Sequence, residues 1–264
     1  MVNLLVAAAL AAASPGSAAA TAPVDQPAMF VVRDADTTVY IFGTFHALDG
    51  RSKWLGDRVR DAFEQSDELV LETLVPERPV PGQLTQAPLR APSVTPSASF
   101  LATTRLAINA GKAQGMQVGN GADMVLRHIA EAEGKPVEGL ETLQLQIDMF
   151  NHMPASAAPR PSAGQPVETA ASDGLTKVMG DMQSAWKRGD QSVFVNMLDQ
   201  LRQASPDTYR MMFTERNERW ADWVRARMQA PGTVFVAVGA GHLAGPDSLL
   251  VRLAERGIPS QRVN

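Results

Sequence analysis

The sequence contains no cysteine. That excludes disulfides, thiolate metal ligands, a cysteine nucleophile and a lipid-modified cysteine anchor, and it leaves the apolar core as the source of stability. Charge of one sign is not gathered anywhere. The 24 Lys and Arg are scattered among 28 Asp and Glu, for a net charge of −4 and a pI near 5.6. Such a chain gives no electrostatic reason to expect nucleic acid or an anionic membrane as partner. There is no H-E-x-x-H helix and no G-x-S-x-G elbow, so the common zinc-protease and serine-hydrolase routes are missing. No internal repeat recurs at a solenoid period.

What is present is ordinary globular material: 264 residues, 45% apolar and 20% charged, enough for one sizeable core with a helical lobe. The first stretch, MVNLLVAAALAAASPGSAAATA, reads as a signal peptide covering residues 1–20. Its apolar run from Val2 to Ala13 is too short to span a bilayer, and Ala18 and Ala20 supply the small residues of a cleavage site after Ala20. No Lys or Arg precedes that run. Either the free amino terminus supplies the positive charge, or the true start lies upstream. The expectation is a periplasmic or secreted protein with no transmembrane segment after cleavage. The competing reading is an unstructured Ala-rich tail.

Residues 21–264 are expected to form a single α/β domain. AMFVVRDADTTVYIFGTFH predicts a hairpin, with strands Phe30–Val32 and Val39–Phe42 around the turn residues Asp34-Ala35-Asp36. An amphipathic helix is predicted over Trp54–Gln65, then a buried strand, Glu68–Glu72. Residues 75–99 are crowded with Pro, Ser and Thr and predict a long loop. Further helices are expected at 100–114, 122–134, 174–188, 191–203 and 206–228, and another in GLETLQLQIDMF after a short strand at Val137. Pro154–Ala171 reads as irregular. TVFVAV, at Thr233–Val238, is the clearest buried strand. A helix over 247–256 and a short strand around Arg262-Val263 close the chain. Strands alternating with helices indicate a mixed, largely parallel central sheet with an N-terminal hairpin, flanked by helices.

Three of these strands end alike. YIFGTFH leaves its strand through Gly43 and reaches His46 three residues later. TVFVAVGAGH leaves through Gly239 and reaches His242 at the same spacing. ELVLE ends at Glu72. In open α/β sheets the ligand site lies beyond the carboxyl ends of the strands, so two imidazoles and a carboxylate are delivered to one rim. That trio suits a catalytic divalent metal, with His46, Glu72 and His242 as ligands. It suits metal-free acid–base chemistry equally. A lone His after a strand is more often a capping or packing residue; the paired motif carries the functional reading. His128 and His152 fall in helical patterns and are expected at the surface.

GAGHLA also matches the dinucleotide fingerprint G-x-G-x-x-A, but the acidic residue needed about twenty positions on is missing from SQRVN, which disfavours nucleotide binding. On the helix MFTERNERWADWV, a core stripe of Met212, Phe213, Trp220 and Trp223 leaves Arg216 and Asn217 on the solvated face. Arg216 nonetheless has the planar fork that would hold a substrate carboxylate or stabilise an oxyanion. Glu141 either caps the helix it precedes or reaches the sheet edge as a further carboxylate.

YIFGTFH, LVLET, GADMVLRHIAEAEGKPVEGLETLQLQIDMF, WKRGD, ERNERWADWV and VFVAVGAGHLAGPDSLLVRLAERGI together resemble the TraB/GumN family, relatives of the Tiki proteases and more distantly of erythromycin-esterase and ChaN-like proteins. The resemblance implies an α/β fold with a metal-dependent hydrolase site on which His46, His242, Glu72 and Arg216 fall. The metal would be Mn, Co or Zn. The substrate, an unknown peptide, ester or small molecule, cannot be carried over, because the two Pro-rich stretches depart from the family pattern. The alternative of another class is a non-catalytic envelope protein that binds a metal or a haem-type ligand.

Overall fold

The computed structural model describes residues 25–74, 111–152 and 167–263. Six strands form one sheet: β1 (Met29–Arg33), β2 (Thr37–Thr44), β3 (Glu68–Thr73), β4 (Val137–Glu141), β5 (Gly232–Gly239) and β6 (Gln261–Arg262), in the spatial order β4-β3-β5-β2-β1-β6. β4, β3, β5 and β2 run parallel, whereas β1 pairs antiparallel with β2 and with β6. This is the expected α/β class with its starting hairpin. Asp34 closes that hairpin, its carboxylate accepting from the Thr37 amide at 2.9 Å.

The strands alternate between two apolar layers because successive side chains leave a strand on opposite faces. Phe42, Leu69, Leu71, Phe235 and Ala237 face one layer. It is covered by α1 (Asp57–Glu64), α2 (Ala122–Glu133), α4 (Val167–Lys187) and α5 (Ser192–Ala204). Val39, Ile41, Val70, Val234, Val236 and Val238 face the other, against α7 (Glu215–Arg227) and α8 (Leu249–Glu255). Each fully buried aliphatic or aromatic side chain contributes about 1.5–3 kcal/mol, so the central parallel strands anchor the fold. α3 (Leu143–Asn151) follows β4. α6 (Pro206–Tyr209) runs through a π-helical turn, Arg210–Thr214, into α7.

The predicted elements recur with shifted ends. The strand expected to stop at Glu72 runs to Thr73, and the one at Val137 runs to Glu141. One expectation needs correction: α4 begins at Val167, inside the stretch read as irregular through Ala171. The predicted loop at 75–99, the signal peptide, and most of the helix expected at 100–114 lie outside the described residues. Among the described residues no helix is long and apolar enough to cross a membrane.

What positions the site is the insertion of β5, late in the chain, between β2 and β3. Thr44 pairs with Gly239 and Leu71 with Ala237. The carboxyl ends of the three chemistry-bearing strands therefore lie side by side, although they come from residues 44, 72 and 239 of the chain.

Candidate active site

His46 leaves β2 after Phe45, whose ring packs against Trp186 at 6.1 Å. The Trp186 Nε1–H donates to the Gly43 carbonyl at 2.7 Å and fixes the strand end. α2 docks directly on this loop. The Ala122 amide donates to the Phe45 carbonyl at 3.0 Å, and Asp123, in the helix's first turn, brings Oδ2 to 3.2 Å from His46 Nδ1. Gly121 is what permits the approach: a Cβ there would lie 2.5 Å from the His46 carbonyl oxygen.

Glu72 sits between the other elements. Its Oε1 accepts from the Gly239 amide at 2.6 Å and its Oε2 from Arg216 NH2 at 2.8 Å. Arg216 is 3% exposed and fully engaged. Its Nε donates to both oxygens of Glu141, at 3.1 and 2.9 Å, and NH1 reaches the Met212 carbonyl at 3.4 Å and His242 Nε2 at 3.2 Å. Arg219 adds a second cation to Glu141 at 3.1 Å.

His242 is placed by a short 3₁₀ turn, Ala240–Leu243, and lies between Trp220 and Phe213, whose ring centroids are 4.4 and 4.9 Å away. Asn217 determines its tautomer. The Asn217 Nδ2 donates to the Asp247 carbonyl at 2.7 Å, which turns Oδ1 toward His242 Nδ1 at 2.7 Å. Nδ1–H is then the donor, and Nε2 presents a lone pair to Arg216.

The two imidazoles differ in charge. Partial desolvation at the cavity mouth lowers the pKa of His46, but the hydrogen bond and charge of Asp123, with Glu72 behind it, outweigh that and raise it to about 9. Its side chain is 59% exposed, so water tempers the shift without reversing it. Burial, with Arg216 and His46 nearby, holds His242 down at about 3 against the pull of Glu72. At neutral pH the site thus holds an imidazolium and a neutral imidazole. Burial alone would raise the Glu72 carboxyl. The surrounding cationic groups, from His242 when protonated to Arg216 and His46, together with the Gly239 amide, hold it well below the usual carboxylate range.

All four expected residues line one cavity of about 620 Å³ at the carboxyl rim of the sheet. Its floor is the bare face of Gly239. A Cβ placed there would meet Glu72 Oε1 at 3.1 Å, His46 Nε2 at 3.4 Å and His242 Cδ2 at 3.8 Å. Two expectations for α7 are corrected. Arg216 and Asn217 are buried, at 3% and 1% exposure, instead of solvated. Glu141 is buried against Arg216. Asp123 was not among the expected site residues; its signal was an acid in the first turn of a helix, a feature of many helices. His128 and His152 are exposed.

The arrangement bears on the expected metal. A guanidinium already lies between Glu72 and His242 and donates to both. Among the described residues, no three His, Asp or Glu side chains are grouped so that they could hold an ion. As arranged, the residues do not fit a three-ligand metal centre.

Sheet and rim define an α/β protein with a His–Glu–Arg–His cluster at the carboxyl ends of parallel strands, Arg216 and His242 buried and His46 at its open side. Residues 28–92 and 83–262 match the TraB/PrgY/gumN family, and the chain belongs to that family. No curated protein and no solved structure matches it at a significant level.

Proposed function

We propose that the protein is an exported hydrolase cleaving a peptide or ester bond by acid–base catalysis at the rim. The observation that carries this reading is the convergence of His46 Nε2 and Glu72 Oε1 over the bare face of Gly239, with opposite charges at neutral pH. A water held there donates to Glu72 and adds to the substrate carbonyl, its proton passing to the carboxylate. His46 protonates the leaving group as the bond breaks. Glu72, the stronger acid, then returns its proton to His46. Arg216, whose nitrogens are all engaged, keeps Glu72 ionised and oriented; in this reading it is not a substrate anchor. His242 holds the guanidinium in register. Pairs of groups with pKa values pushed apart mark acid and base roles.

The low pKa of Glu72 makes it a weak base, an observation that favours a second reading, the non-catalytic binder of a metal or haem-type ligand. Export rests on the composition of residues 1–20.

The test is turnover of a panel of peptide and ester substrates by wild type, His46→Ala and Glu72→Gln, each with EDTA or with added Mn, Co or Zn. Turnover that resists EDTA and disappears in both variants supports the proposal. Turnover only with added metal replaces it by the metal-assisted form, in which Arg216 would have to leave its place between Glu72 and His242. Tight stoichiometric ligand binding with no turnover establishes the binder. Export is checked by whether the mature amino terminus begins at residue 21.

A further inference from the structure

On the cavity side of the rim, two buried hydroxyls have no hydrogen-bond partner among the described residues: Thr44 Oγ1 and Thr73 Oγ1. Thr44 is 2% exposed. It pairs with Gly239 across β2 and β5, while Thr73 lies two residues beyond the Leu71–Ala237 pair of β3 and β5. The three residues form one row, the bare glycine in the middle and a hydroxyl on either flank. Strand alternation puts Thr44 on the face of Phe42 and Thr73 on the face of Leu71, which is the face the cavity occupies. A buried hydroxyl left without a partner costs about 1–3 kcal/mol; both oxygens are shielded from solvent as they stand, and a turn of the side chains toward the cavity would satisfy both on one incoming polar atom.

Another part of the lining is apolar. Met116, Met124, Met179, Met182, Met197 and Met212 all line the cavity. Methionine thioethers are apolar, polarizable and adaptable in shape, so this part of the lining accommodates a flexible apolar chain, while Lys112, Asp123 and Arg127 form the charged part.

We infer that the site takes an acyl group, an aliphatic chain lying along the methionines with its carbonyl held by the Thr44 and Thr73 hydroxyls over Gly239. The inference rests on the hydrolase reading for what happens at the carbonyl, and it adds the substrate class and two positioning residues. Ester and amide share this chemistry; the leaving group is not specified by it.

The test is calorimetric binding of acetamide, butanamide and octanamide to the full chain, beside turnover of the 4-nitrophenyl esters of the same acids. Affinity should rise about tenfold or more from butanamide to octanamide. The Thr44→Val/Thr73→Val variant should lose about fivefold or more in octanamide affinity while its melting temperature stays level or rises, because unpartnered hydroxyls are being removed. A structural role for the hydroxyls would lower the melting temperature instead. Met182→Trp, which fills the cavity, should flatten the chain-length dependence. Affinity indifferent to chain length, or unchanged in the double valine variant, overturns the inference. Octanamide binding with no ester turnover sinks the hydrolase reading alone, and turnover with no chain-length preference sinks this one alone.

Discussion

Asp123 Oδ2 stands 3.2 Å from His46 Nδ1, so the first turn of α2 sets the charge of an imidazole at the end of β2. The helix is held there by backbone contacts, and the pair forms without either residue being fully buried. His46 is therefore protonated well above its ordinary value of 6.5, up to about 9. Asp123→Asn should bring the His46 titration, followed by NMR of the ring protons, back toward the ordinary value. The linkage sign follows from a raised folded-state pKa: the stabilisation is complete below pH 6.5 and disappears as pH rises through 9. Wild type and Asp123→Asn should thus differ in urea midpoint at pH 6 and converge by pH 10. With the ring 59% exposed the difference is about 1 kcal/mol or less. Equal His46 titrations in the two proteins would remove the proposed role of Asp123.

Arg216 is the group whose loss should cost the fold most. Its Nε serves Glu141 and its NH2 serves Glu72, so Arg216→Ala leaves two buried carboxylates without their cation. Removing one partner of a buried pair typically costs about 3–5 kcal/mol. Arg219, at 47% side-chain exposure, can relieve only Glu141. Urea unfolding at pH 7 checks this, and a loss under about 0.5 kcal/mol, the surface value, would contradict the burial described. Arg216→Lys should fall between the two, since an ammonium cannot span Glu72, Glu141 and His242 with one rigid fork.

His46, Glu72 and His242 were legible because each follows a strand whose apolar run is unmistakable, and because glycine recurs at one spacing before both histidines. Their meeting needed only the rule that sites lie beyond strand ends. Arg216 and Asn217 were hidden by their charge and polarity, which assign such residues to solvent, and not by their spacing. Arg216 lies four residues after Met212 and four before Trp220, and Asn217 four after Phe213 and three before Trp220, so helical periodicity by itself puts both on the apolar stripe. The buried face is Arg216, Asn217, Trp220, Ala221 and Val224, regular helical spacing. Asp123 offers no such signal, because its role depends on where α2 docks.

Two glycines are required by their neighbours rather than by their backbone angles. Ala at Gly121 would put its Cβ 2.5 Å from the His46 carbonyl oxygen, and backbone cannot yield as a side chain does. Gly121→Ala should destabilise by about 1–3 kcal/mol and weaken the His46–Asp123 pair, visible as a lowered His46 pKa. At Gly239 the clash is milder, 3.1 Å to Glu72 Oε1 and 3.4 Å to His46 Nε2, and these are side-chain atoms. Gly239→Ala should fold with nearly unchanged stability yet lose most turnover. A Gly239→Ala protein with wild-type turnover would show that the floor of the cavity is not where the reaction occurs.

Acid should destabilise the site through His242 and Glu72 together. The folded-state pKa of His242 is held at about 3 against 6.5, so the unfolded chain binds the proton first and stability falls as pH drops from 6.5 toward 3. Glu72 adds to the loss below its ordinary value of 4.5. Asn217→Asp separates the two. It places a carboxylate at the oxygen that now accepts from His242 Nδ1 at 2.7 Å, which favours the imidazolium and leaves the Glu72 contacts in place. The variant should be less stable than wild type at pH 7, where a buried carboxylate has been added beside a neutral ring. Its stability should decline less steeply between pH 6.5 and 4.5, because its own His242 now takes up the proton in the folded state. Parallel stability curves for the two proteins across that interval would mean that His242 is not the group whose burial sets the acid limb.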